Sequence, residues 1–425
     1  MRQGYWHILL LLQLLLLWDG TAAAQDKQPG KGLLFFYRIG DRIDCYQSQN
    51  IDTAYIALPE HSWRIAYTNA MVGVQSALTS TIPGNETGKA ILNAQPGVTG
   101  YNTETGNTIL TLQNRTTPSV DLGFYAGYRG FGFGYSWDAL HAYAQRLSFS
   151  LGSKSLGIDF SIQTSTNITT DFLLNKKKLW DMGKTDVVIT NASLNLWYAL
   201  NYVRYSHQAA VKQSYIQRRT AGSPLLFLSY MSSQVSLNDT TIIPQAQRPL
   251  LPTLMSNLTA VRTRQIAAGI GYGINYTPNN GKVLLHASAA ALLVTYSINL
   301  VSFYLPDSIA DGLPANPMHN LEPSFPVHVT GNMRAAVSWE INKWVHLSVW
   351  ATAENIRFRS KPTVNKNIVS LSNWDWKVQA SVGVRLGAGR ERVRRALGEL
   401  PQESRQERPS KLPRWVQEYF YSPRQ

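Results

Sequence analysis

The chain has 425 residues, 40 lysines and arginines against 26 aspartates and glutamates, a formal net charge of +14 and one cysteine, Cys45. A single cysteine excludes an intramolecular disulfide, and with it the class of small disulfide-stapled secreted folds. The basic balance favours anionic neighbours such as lipid phosphates, and nucleic acid is not an expected partner because the N-terminus addresses the chain for export.

That address is residues 1–24. Arg2 precedes an apolar run from Ile8 to Trp18, and the small residues Ala22 and Ala24 stand ahead of Gln25, the pattern of a signal peptide cleaved before Gln25. The run is well short of the ~20 residues of a spanning helix. No later stretch approaches that length, so any membrane crossing falls to strands. Residues 25–62 read as an N-terminal periplasmic segment.

From residue 63 the dominant period is two. Alternation predicts strands over 63–77, 118–127, 130–138, 145–152, 155–165, 191–204, 222–236, 262–276, 282–297, 328–341, 344–358 and 373–387. In the last of these, Trp374, Trp376, Val378, Ala380, Val382 and Val384 share one parity, opposite Asp375, Lys377, Gln379, Ser381 and Arg385. In 262–276, Ile266, Ile270, Tyr272 and Ile274 oppose Gly269, Gly271, Gly273 and Asn275. Such runs exceed the roughly 9–11 residues of a tilted bilayer crossing. Long connections at 78–117, 166–190, 237–261 and 298–327 alternate with turns as short as Ser153-Lys154 and Asn342-Lys343, the loop asymmetry of outer-membrane barrels. The connection 205–221 breaks this rule, being long where a short turn is due. Trp339, Tyr272, Tyr276, Trp374 and Trp376 fall near strand ends, where a membrane interface holds amphipathic rings.

These features predict an all-β fold: an antiparallel transmembrane (outer-membrane) β-barrel over 63–387, of about twelve strands within a range of ten to fourteen. The inward parity supplies lumen-lining candidates: Arg334, Glu340, His346, Glu354, Asp375, Lys377 and Arg385. Arginine is expected to impair assembly at Ala380 or Val382 and to be tolerated at Gln379 or Ser381. Residues 388–425 read as a basic, partly disordered periplasmic tail, with Trp415, Tyr419 and Phe420 as the side chains a docking role would use.

At DTAYI (52–56), NYVRYSHQAAVKQSYIQRRTAGSPLLFLSY (201–230) and IAAGIGYGINY (266–276), the chain resembles a bacterial family catalogued as domain of unknown function 4421. The likeness runs over roughly 50–387 and is most specific at Gln213–Ser223. It implies an outer-membrane barrel in a bacterium and implies no activity, since the family has none assigned. Members often carry an aromatic-Ser-Tyr-Pro-Ala-Ala run; here it reads Tyr205-Ser206-His207-Gln208-Ala209-Ala210, without the proline.

Catalytic and cofactor signals are thin. The sets GFGFG and GIGYG lie inside strands with no following helix or basic residue, so close packing is expected of them rather than phosphate binding. The histidines have no zinc spacing, and no cofactor is expected. His286 and Ser288 share a face, but no carboxylate is evident to orient the imidazole, so the chain is not expected to be an enzyme. A rim enzyme acting on lipid or peptide is the alternative. A ring of about twelve strands is narrower than the sixteen- to eighteen-stranded porins, and mixed inward charges are expected to pair across it. The expected role is a narrow channel, transporter or surface scaffold, with outer-membrane lipid, a small solute and a periplasmic or surface protein as partners. The segment 205–221 is either slack, or it folds inward or extends two strands beyond the membrane, bringing Arg204, Lys212, Arg218 and Arg219 toward Glu340, Glu354 or Asp375.

Overall fold

The computed structural model describes residues 31–93, 106–116, 119–139, 144–166, 168–237, 258–278, 282–303, 318–323, 327–362 and 366–387. The signal segment with Ala22, Ala24 and Gln25, and the tail with Trp415, Tyr419 and Phe420, lie outside the described residues. The chain divides into two units. Of the first, residues 1–43 with 388–425, the described part is the leading portion of helix α1 (Lys31–Ser48). The second, Asp44–Gly387, contains everything that follows.

Twelve strands close into one antiparallel ring. In chain order they are β1 (Trp63–Pro83), β2 (Ser119–Tyr128), β3 (Phe131–Asp138), β4 (Ala144–Gly152), β5 (Leu156–Ser165) and β6 (Val187–Ala199). There follow β7 (Ala221–Leu237), β8 (Leu258–Tyr276), β9 (Val283–Phe303), β10 (His328–Glu340), β11 (Val345–Arg359) and β12 (Ile368–Leu386). Each pairs with its chain neighbour, and β12 pairs back onto β1 from Ile368↔Thr81 to Leu386↔Trp63. Where the twelve strands pair all round, closure leaves no sheet edge to be satisfied in a solvent that offers no hydrogen bonds. All twelve predicted strands are in the ring.

The two parities part as the alternation requires. Outward side chains are apolar and exposed, among them Val378, Val382, Ile270 and Met333, with Trp374 near one rim and Trp339, Tyr272 and Tyr276 near the other. Their neighbours Lys377, Gln379, Ser381 and Arg385 are buried inside. The β2–β3 turn is two residues, Arg129 and Gly130, both at positive φ (46° and 96°), the twist that keeps paired strands together.

At the long-loop end the prediction was incomplete. Segments 78–117 and 166–190, expected as loops, carry helix α2 (Glu86–Asn93) and strands Asn107–Thr116, Ile168–Leu174 and Lys177–Thr185. The reason is an edge. The pairing of β1 with β2 stops at Val72↔Ser119, while β1 continues to Pro83. The strand Asn107–Thr116 takes up that free edge, from Gln75↔Arg115 to Pro83↔Asn107, because an exposed edge is a template for further pairing.

Candidate functional site

The interior of the ring is stratified. At the long-loop end the inward face turns apolar: Val74 and Leu78 of β1, Ile189 of β6, Val235 of β7, Val261 of β8, Phe358 of β11 and Leu371 of β12 join one buried cluster with Leu110, Leu112 and Phe172. Strands β2 to β5 do not reach this cluster. Beyond the end of β2 the extension strands Asn107–Thr116 and Ile168–Leu174, paired in turn onto β1, supply its remaining side, and together they cap the lumen.

Beneath the cap, opposite walls bond directly. Asn191 Nδ2 of β6 donates to Asp375 Oδ2 of β12, half a ring away, at 3.4 Å. Asn373 of β12 donates to Asn191 Oδ1 (2.8 Å) and Ser233 Oγ (2.6 Å). Asn195 of β6 donates to Glu354 of β11 (3.3 Å), and Arg334 of β10 to Asp159 of β5 (2.9 Å).

The short-turn end is filled by the connection from β6 to β7, which folds inward. Helix α3 (His207–Val211) is capped by Ser206, whose side chain accepts from Ala209 N. Tyr205, His207, Ala209, Ala210 and Tyr215 are all buried. Gln217 accepts from Ser206 N (3.0 Å) and donates to the carbonyls of Arg204 (2.7 Å) and Arg219 (2.9 Å). Asn275 of β8 donates to Ser206 O (2.8 Å) and Gln217 Oε1 (3.0 Å). Gly273, two residues before it, leaves the space into which the Tyr205 ring fits. Ile56–Ala57 pairs with Ile216–Gln217. The three stretches that carry the family resemblance therefore meet in one plug. The absent proline does not prevent the helix, since the serine cap starts it and the Gln208 side chain packs on Gly152.

The plug is tied to the wall by Arg64, which donates to Lys212 O while its guanidinium lies 4.4 Å from the centroid of Tyr125. Inward folding is one of the expected outcomes, but the expected charge partners need correcting. The Lys212 ammonium meets Asp159 at 3.6 Å, and Arg204 meets Asp52 at 3.6 Å. The acids anticipated for them are already satisfied. Glu340 takes Arg385 (2.5 Å), Glu354 takes Asn195 and Asn332, and Asp375 takes Asn191. Burial pushes the imidazole of His207 well below its usual range, and His286 and Arg334 push the same way.

Between plug and cross-lumen bonds lies a cavity of about 90 Å³, whose charged lining is Arg64, Arg146, Lys212, Arg334, Lys377, Asp159 and Glu354. A second void of about 30 Å³ toward the short-turn end shares Arg64, Tyr125 and Lys212 with it as a common wall. Of the sequence candidates, Arg334, Glu354 and Lys377 line the main cavity, and Asp375 lines a smaller void beside it. His346 and Arg385 are buried nearer the short-turn end, where Glu340 pairs with Arg385. Asp159, Arg64, Arg146, Asn191 and Asn195 went unread, although each lies on the inward parity of a predicted strand. The alternation of those strands is less clean, and no single strand reveals what stands opposite it.

His286 and Ser288 are joined by an orienting group, an amide rather than a carboxylate. Ser288 Oγ is 3.2 Å from His286 Nε2, and Asn275 Oδ1 is 2.8 Å from Nδ1. Because Asn275 Nδ2 is committed to the plug, its oxygen faces the ring, which puts the proton on Nδ1 and leaves Nε2 to accept from Ser288.

A closed antiparallel ring with an apolar outer belt, aromatic rims and a charged interior is a β-barrel of the outer-membrane type. The chain belongs to the family described as "Domain of unknown function (DUF4421)", which it matches over residues 50–386. No curated protein matches it. Among solved structures it is similar to the outer membrane protease OmpT from Escherichia coli, at 8% identity over 76% of this chain and 97% of that chain, with a TM-score of 0.33. The outer membrane protein OprG from Pseudomonas aeruginosa is similar at 10% identity over 78% and 99%, with a TM-score of 0.26. The COG4313 outer membrane channel from Pseudomonas putida F1 is similar at 9% identity over 78% and 98%, also with a TM-score of 0.26.

Proposed function

We propose that this protein is a sealed barrel of the bacterial outer membrane that acts as a scaffold rather than a conducting pore. The observation that carries this reading is the bonding of opposite walls: Asn191 to Asp375 across half the ring, with Asn373 reaching back to Asn191 and Ser233. The apolar cap above supports it, since that layer would stop a hydrated ion, and the plug below narrows the other end. The outer extension built on the free edge of β1 is the surface such a scaffold would present. Planar-bilayer recording on the purified full chain tests it. No protein-dependent conductance steps are expected, and reproducible unitary conductance would overturn the scaffold reading.

A hydrolytic role is the second reading, favoured by the Ser288–His286–Asn275 relay. An activated serine next to a correctly protonated imidazole is the core of nucleophilic catalysis. A fluorophosphonate probe should then label Ser288 in the wild type and not in Ser288→Ala. Absence of labelling, both in the wild type and in a variant lacking 208–217, would remove the reading.

A further inference from the structure

We infer that the chamber above the plug binds a small oxyanion of the phosphate class. The lining sets five cationic groups against two carboxylates. Asp159 is taken by Arg334 and Lys212, and Glu354 by two asparagine amides. That leaves Arg64, Arg146 and Lys377 facing the void. Lys377 is 6% exposed and forms no ion pair among the described residues; its ammonium lies 4.7 Å from the centroid of Trp350. Arg146 Nη1 and Arg64 Nε are buried without hydrogen-bond partners. Asp121, Asp138 and Asp375 also point inward, yet none of them lines this cavity. A buried charge without a bonded partner is costly, and a bound anion removes that cost.

The chemistry selects the class, and the size admits it. A chamber of about 90 Å³ has room for several waters, each needing at least ~10–15 Å³, and so for a tetrahedral oxyanion. Guanidinium groups match oxyanions by paired N–H bonds, and Ser136, with one hydroxyl of the bonded Ser161–Ser193 pair, adds donors around the same space. The way in is from the short-turn side. The apolar cap closes the other end, whereas the second void shares Arg64 and Lys212 with the chamber and adds Arg129 and Arg385 along its own wall. The inference does not depend on whether the barrel conducts, because a dead-end site needs only one entrance.

The test is thermal unfolding of the full chain in detergent, titrated with inorganic phosphate at constant ionic strength against sodium chloride. The unfolding midpoint should rise and saturate with phosphate. Lys377→Met and Arg146→Gln should each raise the half-saturating concentration by about tenfold or more, the worth of one charge-assisted hydrogen bond. Lys377→Met should also be at least as stable as the wild type without phosphate, since it removes an unpaired buried cation. Arg357→Gln, on the outer face, should respond as the wild type does. A wild type whose response to phosphate equals its response to chloride overturns the inference, and so does an undiminished phosphate response in both lumen variants. Should either variant fail to assemble, retention of one phosphate per wild-type chain after desalting, read by native mass spectrometry, decides the matter. An empty chain in that measurement overturns the inference equally.

Discussion

Replacing Val378 by arginine tests the membrane assignment where the structure is most explicit. Val378 is 43% exposed on the outward face of β12, and its cross-strand neighbours are Ala351 and Met71. A strand rising about 3.3 Å per residue at about 45° descends roughly 2.3 Å per residue. Trp374 to Val384 then spans about 23 Å, close to the ~25 Å apolar band of such barrels. Val378 sits about 9 Å below Trp374, a few ångströms from the midplane, where arginine costs about 2–4 kcal/mol. That is roughly a 30- to 700-fold loss in the ratio of folded to unfolded chains, since 1.4 kcal/mol is tenfold. The control is Thr81→Arg, on the same outward face of the adjacent strand but paired with Ile368, about 14 Å beyond Trp374 by the same rise. Its cost should stay within about 0.5 kcal/mol. Reversible urea unfolding in lipid vesicles reads both. Equal costs at the two positions would refute a lipid-facing belt, and so would a cost at Val378 below that at Thr81.

Other outcomes follow from the packed interior. Gln379→Arg, which alternation alone marks as tolerated, should impair assembly in a heat-modifiability assay, because Gln379 lines the same cavity as Lys377, Arg64 and Arg146. Asp159→Asn strands Arg334 and Lys212 and should cost about 3–5 kcal/mol; combining it with Arg334→Met should restore part of that in denaturant unfolding. Deleting 208–217 should leave the protein non-conducting in planar bilayers, since the apolar cap and the cross-lumen bonds remain, and new conductance would make the plug the only seal. Burial holds the folded pKa of His207 below the usual 6.5, so the unfolded chain takes up the proton first and stability is lost as pH falls below that value. Between pH 6.5 and about pH 5 the loss should reach up to about 2 kcal/mol, and His207→Gln should flatten it. His286, Arg334, Asp159 and Lys212 face the same imidazole, so the difference between the two proteins is the measurement to make.

The ring was legible in the order of residues along the chain. Alternation is a local property, carried by residues two apart, so strand number, parity and the outward belt were readable at Trp374–Val384 and Ile266–Tyr276 without knowing any partner. Loop parity placed 205–221 as an exception for the same reason. What stands opposite a residue was not readable. The meeting of Asn191 with Asp375, or of Lys212 with Asp159 rather than Glu354, depends on how far the strands are staggered when β12 closes onto β1. The outer extension was hidden likewise: NTILTLQNRT alternates, but it became a strand because β1 outran β2 and left an edge. That the inward face is filled emerges from the fold alone, because packing across a lumen joins side chains more than a hundred residues apart, and no local period records that distance.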